Sequence, residues 1–258
     1  MNKTVSVLIA AYNAEKYIEE SVNSIRNQTY KDIEILICDD CSEDNTLSIL
    51  RRLEKEDSRI TVLCNPQNSF AAYSRNRCYQ ISRGDYIAIQ DADDISSPDR
   101  IEALVRELES TDYDFVSCAE ALFNKSADSP YRIVTHKQIP GKQDFLRGMC
   151  FCHAATLFKR ECFESVGGYP VDDVIHRHED YMLFMNLYAQ GYRGFNLDEV
   201  LYYYRVDKDA LGRRGWKSRI QECRIRYRGF KKMNLLPLGI PFVFVPVAGY
   251  IRQLIKKR

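Results

Sequence analysis

Glycine is absent from the first third of this chain. The sequence of 258 residues has 12 glycines, and the first of them is Gly84. A dinucleotide-binding sheet needs a G-x-G-x-x-G turn after its first strand, and a P-loop nucleotidase needs G-x-x-x-x-G-K-S/T. The first motif cannot occur before Gly84, and the second occurs nowhere in the chain. An N-terminal sheet that binds phosphate must therefore use side chains or a metal ion instead of a glycine cradle.

Paired cysteine spacing and a secretory leader are also missing. The nine cysteines are an odd number, and their only cluster is Cys150, Cys152 and the adjoining His153. Because no second ligand pair lies at zinc-site spacing, we expect nine reduced thiols in the cytosol. Residues 1–3 lead directly into an apolar strand, so we expect no cleaved leader.

No apolar run is long enough to be a clear membrane span. The uncharged stretch 235–251 is somewhat short and contains three prolines. It follows a basic segment, 213–232, whose apolar residues recur at helical spacing. Residues 205–258 carry a net charge of +12, whereas residues 1–204 carry −11. We predict that 206–258 form a basic helix and an apolar tail that associate with an anionic membrane surface. A protein partner or a second copy is the alternative, and a proline-rich apolar run does not suit nucleic acid.

Strands and helices alternate along the first hundred residues, which predicts an α/β fold with a parallel sheet and right-handed crossovers. The predicted strands are 5–11, 33–38, 60–63 and 86–90. The predicted helices are 14–28, 46–55 and 71–82. The second half is less regular, with helices at 98–110 and 181–190 and strands at 115–119, 154–158 and 200–205. We divide the chain into 1–95, 96–205 and 206–258.

Polar side chains follow three of the four predicted parallel strands. In open α/β sheets this edge binds ligands. The four residues that end the fourth strand include three acids, which repel one another unless a cation lies between them. A divalent metal bound to a phosphorylated ligand would supply that positive charge. A solvated acidic turn that caps the next helix is the alternative. The residues are Ala11, Tyr12 and Asn13 after the first strand, Asp39 and Asp40 at the second, and Asp91, Asp93 and Asp94 after the fourth.

Five short motifs occur in a fixed order along the chain. They are V-S-V-L-I-A-A-Y-N at 5–13, D-D-C-S at 39–42, S-R-N at 74–76, D-A-D-D at 91–94 and E-D at 179–180. Together they resemble the family 2 glycosyltransferases of GT-A fold, over about residues 4–205. The resemblance implies a Rossmann-like, mostly parallel sheet flanked by helices. It also implies that 1–95 bind the nucleotide sugar and that 96–205 bind the acceptor and catalyse transfer.

The same resemblance implies a donor-binding set. Tyr12 would flank a uracil-type base, Asp40 would accept from its imide N–H, and Asp39 would support the loop. Arg75 would lie near the diphosphate. Core packing of Tyr12 and an exposed helical Arg75 are the structural alternatives. Cys41 stands where the family usually has glycine, which puts the geometry of this loop in doubt. Ala11, Asn13 and Ala92 complete the set.

A metal site is implied by the D-x-D motif of Asp91 and Asp93. One carboxylate would bind Mn²⁺ or Mg²⁺ and another would hold the ribose hydroxyls. We favour Asp93 for the metal, with Asp91 or Asp94 assisting, and the sequence leaves the choice open.

The E-D motif implies the catalytic residues. Asp180 would be the base, with Glu179 beside it at the start of a helix, where the dipole favours a carboxylate. A merely charged first turn is the alternative. His176, Arg177 and His178 precede them and make the cluster denser than helix capping needs. A structural role is expected for His178 and His153, and positioning of the acceptor or contact with phosphate is the alternative for each.

The implied function is inverting transfer of a hexosyl or N-acetylhexosaminyl group from a nucleoside diphosphate, expected to be UDP. The acceptor would be a saccharide, lipid-linked, in the synthesis of cell-surface polysaccharide. The enzyme would be peripheral on the inner face of the cytoplasmic membrane. One alternative is a membrane-bound scaffold that has lost activity. The other is a sugar nucleotidyltransferase, which would need a glycine-rich basic loop where this chain has residues 10–14, A-A-Y-N-A.

Overall fold

The computed structural model describes residues 3–171, 178–206 and 215–256. Within these ranges the chain forms one nine-stranded sheet with helices packed on both faces. The strands are β1 (Val5–Ala11), β2 (Ile33–Asp39), β3 (Ile60–Cys64), β4 (Tyr86–Asp91), β5 (Ile95–Ser96), β6 (Phe115–Phe123), β7 (Arg132–Val134), β8 (Leu157–Lys159) and β9 (Gly194–Arg205). The helices are α1 (Ile18–Arg26), α2 (Thr46–Glu56), α3 (Phe70–Ile81), α4 (Arg100–Ser110), α5 (Arg160–Ser165), α6 (Glu179–Gln190), α7 (Trp216–Lys232), α8 (Leu236–Val243) and α9 (Val245–Lys256).

The sheet is parallel in its first half and mixed in its second. Its strand order is β3-β2-β1-β4-β8-β6-β9-β5, and β7 pairs with β6 outside this path. The pairs among β1, β2, β3 and β4 are all parallel, as the alternating pattern predicts. The short β8 is antiparallel to both β4 and β6, and β6 is parallel to β9. One continuous sheet thus carries strands from both predicted halves.

Two hydrophobic cores cover the two faces of the sheet. Alternate residues of β1 supply both: Val7 and Ile9 face the helices α1, α2 and α4, whereas Leu8 faces α3, α5, α6 and α7. The second core is aromatic, with Phe115 in ring contact with Phe151 at 5.0 Å and with Phe184 at 5.4 Å. Burial on both faces explains why the predicted strands are apolar at nearly every position.

The predicted elements are present, with shifted ends. The first helix begins at Ile18 instead of residue 14, because Asn13 has a φ of 48° and turns the chain before the helix starts. The last strand is longer than predicted, since β9 begins at Gly194. The predicted strand 154–158 is a 3₁₀ turn followed by the short β8.

The tail is partly integrated into the second core. Ile225 and Phe230 of α7 are fully buried, and Val243 at the end of α8 is also buried. Gly229 lies so close to α6 that an added Cβ would be 2.2 Å from the sulfur of Met185. Among the described helices, none is long and apolar enough to cross a bilayer. The tail is therefore packed against the helix that begins with the E-D motif.

Candidate active site

The carboxyl ends of four parallel strands lie at one edge of the sheet. Ala11 pairs in register with Asp39, and Asp39 pairs with Cys64. On the other side of β1, Ala10 pairs with Asp91. The predicted gathering of strand ends is therefore confirmed, because the D-D motif, the A-Y-N motif and the acidic loop follow adjacent strands.

Asp40 is held at this edge by bonds to both neighbouring strand ends. Its N–H donates to the carbonyl oxygen of Ala11 at 2.8 Å. Its Oδ1 accepts from Asn65 Nδ2 at 2.6 Å and from the N–H of Ser69 at 2.8 Å. Tyr12 follows Ala11 with its side chain half exposed, so it does not pack in the core. The carboxylate of Asp40 is thus fixed in place, and the accessible ring of Tyr12 belongs to the residue that follows its hydrogen-bond partner Ala11.

Asp39 supports the adjacent loop. Its Oδ2 accepts from the N–H of Ser42 at 3.1 Å, and its buried Oδ1 has no partner among the described residues. Asn13 closes the loop from the β1 side: its N–H donates to Ser42 Oγ at 3.0 Å, and its Oδ1 accepts from the N–H of Glu43 at 2.9 Å. The loop that was in doubt is therefore closed by side chains, with Cys41 in the left-handed region at a φ of 63°.

Strained backbone is concentrated around this edge. The non-glycine residues with positive φ in the described ranges are Asn13, Cys41, Phe70, His178 and Asn234. The first three follow β1, β2 and β3, and His178 precedes α6. Left-handed residues other than glycine are costly, and they cluster at functional sites where the surroundings hold them in place. This clustering independently marks the edge as a site.

Arg75 joins the two halves of the site. It is a buried residue of α3, which is inconsistent with an exposed helical arginine. Its Nη2 donates to Asp91 Oδ1 at 2.5 Å, its Nη1 lies 3.6 Å from Glu179 Oε1, and its guanidinium lies 5.5 Å from the ring centroid of Tyr169. Burial alone would lower the pKa of Arg75, but Asp91, Tyr169 and Glu179 outweigh it and raise that pKa. The charge is therefore permanent and shared between the end of β4 and the start of α6.

Asn76, the last residue of the S-R-N motif, positions the tyrosine ring that lies beside this arginine. Asn76 Nδ2 donates to the carbonyl oxygen of Tyr169 at 2.8 Å, and the N–H of Tyr169 donates back to Asn76 Oδ1 at 2.9 Å. The hydroxyl of Tyr169 lies 2.6 Å from His153 Nε2. Burial, with the nearby charge of Arg75, lowers the pKa of His153 well below its usual value. His153 is thus a neutral, structural histidine, as expected.

The three acids of the D-A-D-D loop have different environments. Asp91 is half-buried, Asp93 is exposed and Asp94 is buried, as is Ala92 between Asp91 and Asp93. Asp94 Oδ1 accepts from the N–H of Arg205 at 2.6 Å, and its Oδ2 accepts from the hydroxyl of Tyr202 at 2.9 Å. Burial first, and then the charges of Asp91 and Asp93, raise the pKa of Asp94 well above its usual value. Asp94 therefore anchors the loop to β9.

Asp91 and Asp93 are the two acids that a cation could reach. Asp91 is half-buried against Arg75, and Asp93 keeps part of its surface in contact with solvent. Protein atoms still surround much of the Asp93 carboxyl group, and this loss of hydration, together with the charge of Asp91, raises its pKa to about 6. Within the described residues, no three His, Cys, Asp or Glu side chains converge as a metal site. Mg²⁺ and similar ions need only one or two protein carboxylates when a substrate diphosphate supplies further oxygens. The pair fits such an ion.

The E-D motif begins α6 and faces the same site. Burial first, and then the charge of Asp180, raise the pKa of Glu179 to about 7 despite Arg75. Burial also raises the pKa of Asp180, although the N–H of Tyr181 donates to its Oδ1 at 2.7 Å. A carboxyl group with a raised pKa beside a ligand site suits proton transfer near neutral pH. The neighbouring residues His176 and Arg177 lie outside the described residues.

Several supporting residues are absent from the sequence prediction. Asn65 follows β3 directly and carries Asp40, so the rule applied to the other three strand ends would have found it. Tyr202 and Arg205 had no such signal, because their partner Asp94 is more than a hundred positions away. Arg205 is also buried against the rings of Tyr17 and Phe123, at 4.3 and 4.4 Å from their centroids.

Comparison with known proteins shows the family of this chain. The family model described as "Glycosyl transferase family 2" matches residues 6–167. EpsE of Bacillus subtilis (strain 168) is 35% identical over 233 residues, which cover 90% of this chain and 83% of EpsE. From Escherichia coli, the UDP-Glc:alpha-D-GlcNAc-diphosphoundecaprenol beta-1,3-glucosyltransferase WfaP is 31% identical over 224 residues, covering 86% of this chain and 84% of WfaP.

Solved structures share the fold at low sequence identity. S. aureus TarS in complex with UDP-GlcNAc superposes with a TM-score of 0.74 at 18% identity, covering 93% of this chain and 72% of that one. The mannosyltransferase PcManGT from Pyrobaculum calidifontis, in complex with GDP-Man and Mn²⁺, gives 0.67 at 22% identity, covering 98% and 76%.

The mixed sheet, with its likeness to these two structures, defines the GT-A fold of glycosyltransferases. Within that class, this chain belongs to glycosyl transferase family 2. The resemblance carried by the five motifs is thereby confirmed.

Proposed function

We propose that this glycosyltransferase moves a sugar from a UDP donor to a hydroxyl group of a saccharide acceptor, with inversion at the anomeric carbon. The observation that carries the proposal is the bridge made by Arg75, which contacts Asp91 on the donor side and Glu179 beside the expected base. Donor and acceptor chemistry thus converge on one buried cation.

The donor half supplies groups that suit a nucleotide. Asp40 Oδ1 is occupied by Asn65 and Ser69, so its Oδ2 is the oxygen available to accept from a base imide N–H. The ring of Tyr12 is exposed beside it. UDP is the expected donor, and the S. aureus TarS structure with UDP-GlcNAc supports a uridine nucleotide on this fold.

Asp93, with Asp91, would hold Mn²⁺ or Mg²⁺ against the donor diphosphate. Such an ion neutralises the negative charge that builds up as the diphosphate leaves. Arg75 provides a second, permanent positive charge at the same place. Asp94, whose oxygens are occupied by Tyr202 and Arg205, holds the loop in position, so we assign it support and not ligation.

Asp180 would accept the proton of the attacking hydroxyl group. Its pKa is raised by burial, which makes the Asp180 carboxylate a stronger base than an exposed aspartate. Attack from the side opposite the leaving diphosphate inverts the anomeric carbon. Glu179 lies next to Asp180 in the chain and contacts Arg75, so its protonation state would change the net charge beside the base.

The central test separates donor binding from transfer. Wild-type protein should bind UDP tightly in a titration calorimeter only when Mn²⁺ or Mg²⁺ is present. The variant Asp180→Asn should keep that affinity and lose about a hundredfold or more in transfer rate, the range typical of a lost general base. Asp128→Asn, on an exposed loop, is the matched control and should keep full activity.

Near-wild-type turnover by Asp180→Asn would refute the base assignment. Failure of the wild-type protein to bind UDP with metal would instead refute the UDP-transferase proposal and favour the inactive scaffold.

We further propose a lipid-linked saccharide as acceptor and a membrane surface as the place of reaction. The name of the relative WfaP specifies a diphosphoundecaprenol-linked acceptor. In this chain, α8 and the start of α9 present exposed apolar side chains: Leu238 is 60% exposed, Ile240 53% and Phe244 61%. They lie in a region of net charge +12. Apolar side chains among basic ones suit an anionic membrane, in which the apolar groups insert and the charges meet lipid headgroups.

Vesicle sedimentation tests the membrane proposal without any sugar. The double variant Leu238→Glu with Phe244→Glu should lose binding to vesicles that contain phosphatidylglycerol, and wild-type protein should not bind pure phosphatidylcholine. The control double variant Tyr131→Glu with Ile133→Glu changes equally exposed apolar residues near β7 and should bind as wild type does. Equal binding by the first variant and the wild-type protein would refute this membrane surface.

A further inference from the structure

A chain of hydrogen bonds leads from Arg77 of α3 through Asn65 to the carboxylate of Asp40. Arg77 Nη1 donates to Asn65 Oδ1 at 2.6 Å and to the carbonyl oxygen of Cys64 at 2.8 Å. Asn65 Nδ2 donates to Asp40 Oδ1 at 2.6 Å and to Ser74 Oγ at 2.9 Å. Arg77 is half-buried, whereas Asn65 and Asp40 are buried. The chain therefore connects the outer side of α3 to a carboxylate at the strand ends.

Arg77 fixes the orientation of the Asn65 amide, because a guanidinium group can donate hydrogen bonds but cannot accept them. A flipped amide would direct its NH₂ group at Arg77 and its oxygen at Asp40, so that donor would oppose donor and acceptor would oppose acceptor. The thiol of Cys38, whose sulfur lies 3.4 Å from Asn65 Oδ1, is a second donor on the side of Arg77. The orientation in the structure is thus the one that pairs donors with acceptors on both sides of the amide.

The fixed amide presents Asp40 to a ligand as an acceptor. Asp40 Oδ1 accepts from Asn65 Nδ2 at 2.6 Å and from the N–H of Ser69 at 2.8 Å. Its Oδ2 is left to face a ligand, since none of the hydrogen bonds among the described residues uses that oxygen. An ionised carboxylate accepts hydrogen bonds and donates none. Asp40 therefore favours a ligand atom that carries a hydrogen.

Pyrimidine bases differ at the atom that such a carboxylate would meet. The imide N–H of uracil donates a hydrogen bond, whereas the corresponding ring nitrogen of cytosine has a lone pair, which a carboxylate oxygen repels. A buried acceptor discriminates against a ligand that lacks the donor, because the acceptor then loses its hydration and gains no partner.

We propose that Arg77, acting through Asn65, is a positioning residue that makes Asp40 specific for uracil over cytosine. This inference rests on the proposed function, because it takes the base of the donor to be the ligand of Asp40. It gives Arg77 a part in the choice of nucleotide and no part in transfer.

Titration with UDP and with CDP, each in the presence of Mn²⁺, tests this specificity. Wild-type protein should bind UDP about tenfold or more tightly than CDP, the worth of one hydrogen bond to a charged group. Arg77→Met removes the donor that fixes the amide, so it should lower this preference by about threefold or more. Arg77→Lys keeps a donor and should restore the preference. Asn65→Leu, which removes the amide itself, should abolish it.

The ratio of the two affinities separates positioning from a merely structural role. A general loss of structure would weaken UDP, CDP and inorganic pyrophosphate alike, whereas we expect Arg77→Met to bind pyrophosphate with Mn²⁺ as wild type does, because that ligand has no base. Arg83→Met removes an exposed arginine just after α3, and this matched control should keep the wild-type preference for UDP.

The outcomes also distinguish this inference from the proposed function. If wild-type protein binds UDP and both Arg77→Met and Asn65→Leu keep its preference over CDP, the inference is refuted and the donor site stands. Equal binding of UDP and CDP by the wild-type protein would refute it too, as would an equal loss of UDP, CDP and pyrophosphate affinity in Arg77→Met. If the wild-type protein binds no UDP, the proposed function fails and this inference fails with it.

Discussion

At the scale of single residues, Glu179 makes the free protein sensitive to pH. Its carboxyl group has a pKa raised from 4.5 to about 7, chiefly by burial and by the charge of Asp180. The folded state therefore holds a proton that the unfolded state releases between these two values. It follows that the free energy of unfolding falls as pH rises from about 4.5 to 7.

Glu179→Gln should reduce this fall. An amide cannot ionise, so up to about 3 kcal/mol of the pH-dependent destabilisation should disappear. Asp93, Asp94 and Asp180, whose pKa values are also raised, should retain their own contributions. Urea unfolding at pH 5, 6, 7 and 8, without donor or metal, measures the slope. Glu161→Gln, at an exposed position of α5, is the control and should leave the slope as in wild type. A parallel pH profile for Glu179→Gln and the wild-type protein would contradict the raised pKa.

The strand-end residues of the candidate site can be predicted from the sequence, but the distant residues that hold them in position cannot. Asp40 and Asp91 lie at one edge because parallel strands bring their carboxyl ends together, and Arg75 reaches Asp91 from α3. The different environments of Asp93 and Asp94 are not predictable, because Asp94 is buried by β9, a strand more than a hundred residues away. The sequence also leaves open whether Cys41 can replace glycine in the loop after β2. In the structure Cys41 adopts the left-handed φ, and side chains around it close the loop.

At the scale of elements, the turn after α5 determines how α3 and Arg75 are placed. Gly167 and Gly168 both have left-handed φ values, 74° and 75°. An added Cβ at Gly168 would lie 2.6 Å from Asn76 Oδ1, whereas at Gly167 nothing lies within 4 Å. Asn76 is the residue that exchanges two hydrogen bonds with Tyr169. Both positions therefore favour glycine because of their backbone conformation, but only Gly168 also lacks space for a side chain.

Gly167→Ala and Gly168→Ala should separate these two requirements. Gly167→Ala should cost about 1 kcal/mol from backbone strain alone. Gly168→Ala should cost about 2–4 kcal/mol, because the clash with Asn76 adds to the backbone strain. It should also weaken UDP binding, because a shifted Asn76 would displace the ring of Tyr169 from Arg75. Chemical unfolding and calorimetry measure the two effects. Equal stabilities of the two variants would show that the contact with Asn76 is unimportant.

Elements of the first half are the easier ones to predict. β1, β2 and β4 are buried on both faces, so their sequences are nearly continuous apolar runs with clear ends. β6 and β9 extend past the predicted strands because they pair with each other over irregular register, including a bulge near Ala119 that no local pattern reveals. The division into a donor half, 1–95, and an acceptor half, 96–205, stays a prediction.

At the scale of the whole molecule, the tail is both part of the core and a candidate membrane surface. Leu235 and Val243 are buried, and Gly239 packs against Phe230 and Leu146 at distances that leave no room for a Cβ. Helical periodicity in the sequence indicates an apolar face but not its partner, which is why packing against α6 was not predicted.

Deletion of residues 234–258 should therefore destabilise the protein. It would expose the side chains of Phe230 and Leu146, at about 1.5–3 kcal/mol for each fully exposed large apolar group. A lowered melting temperature and increased binding of a hydrophobic dye would show this. The double variant Leu238→Glu with Phe244→Glu should keep the wild-type melting temperature, because those side chains are already exposed. Wild-type stability of the truncated protein would contradict the packing of the tail.

The contact between Arg75 and Asp91 has a consequence for every ligand of this edge. In the free protein the guanidinium already neutralises one of the two carboxylates that an incoming cation would use. A cation bound as proposed would therefore compete with the arginine for Asp91, and the donor diphosphate would attract both. Metal alone should bind weakly, nucleotide alone should bind weakly, and each should strengthen the other, because only together do they release Arg75 from its present partner and give it a new one.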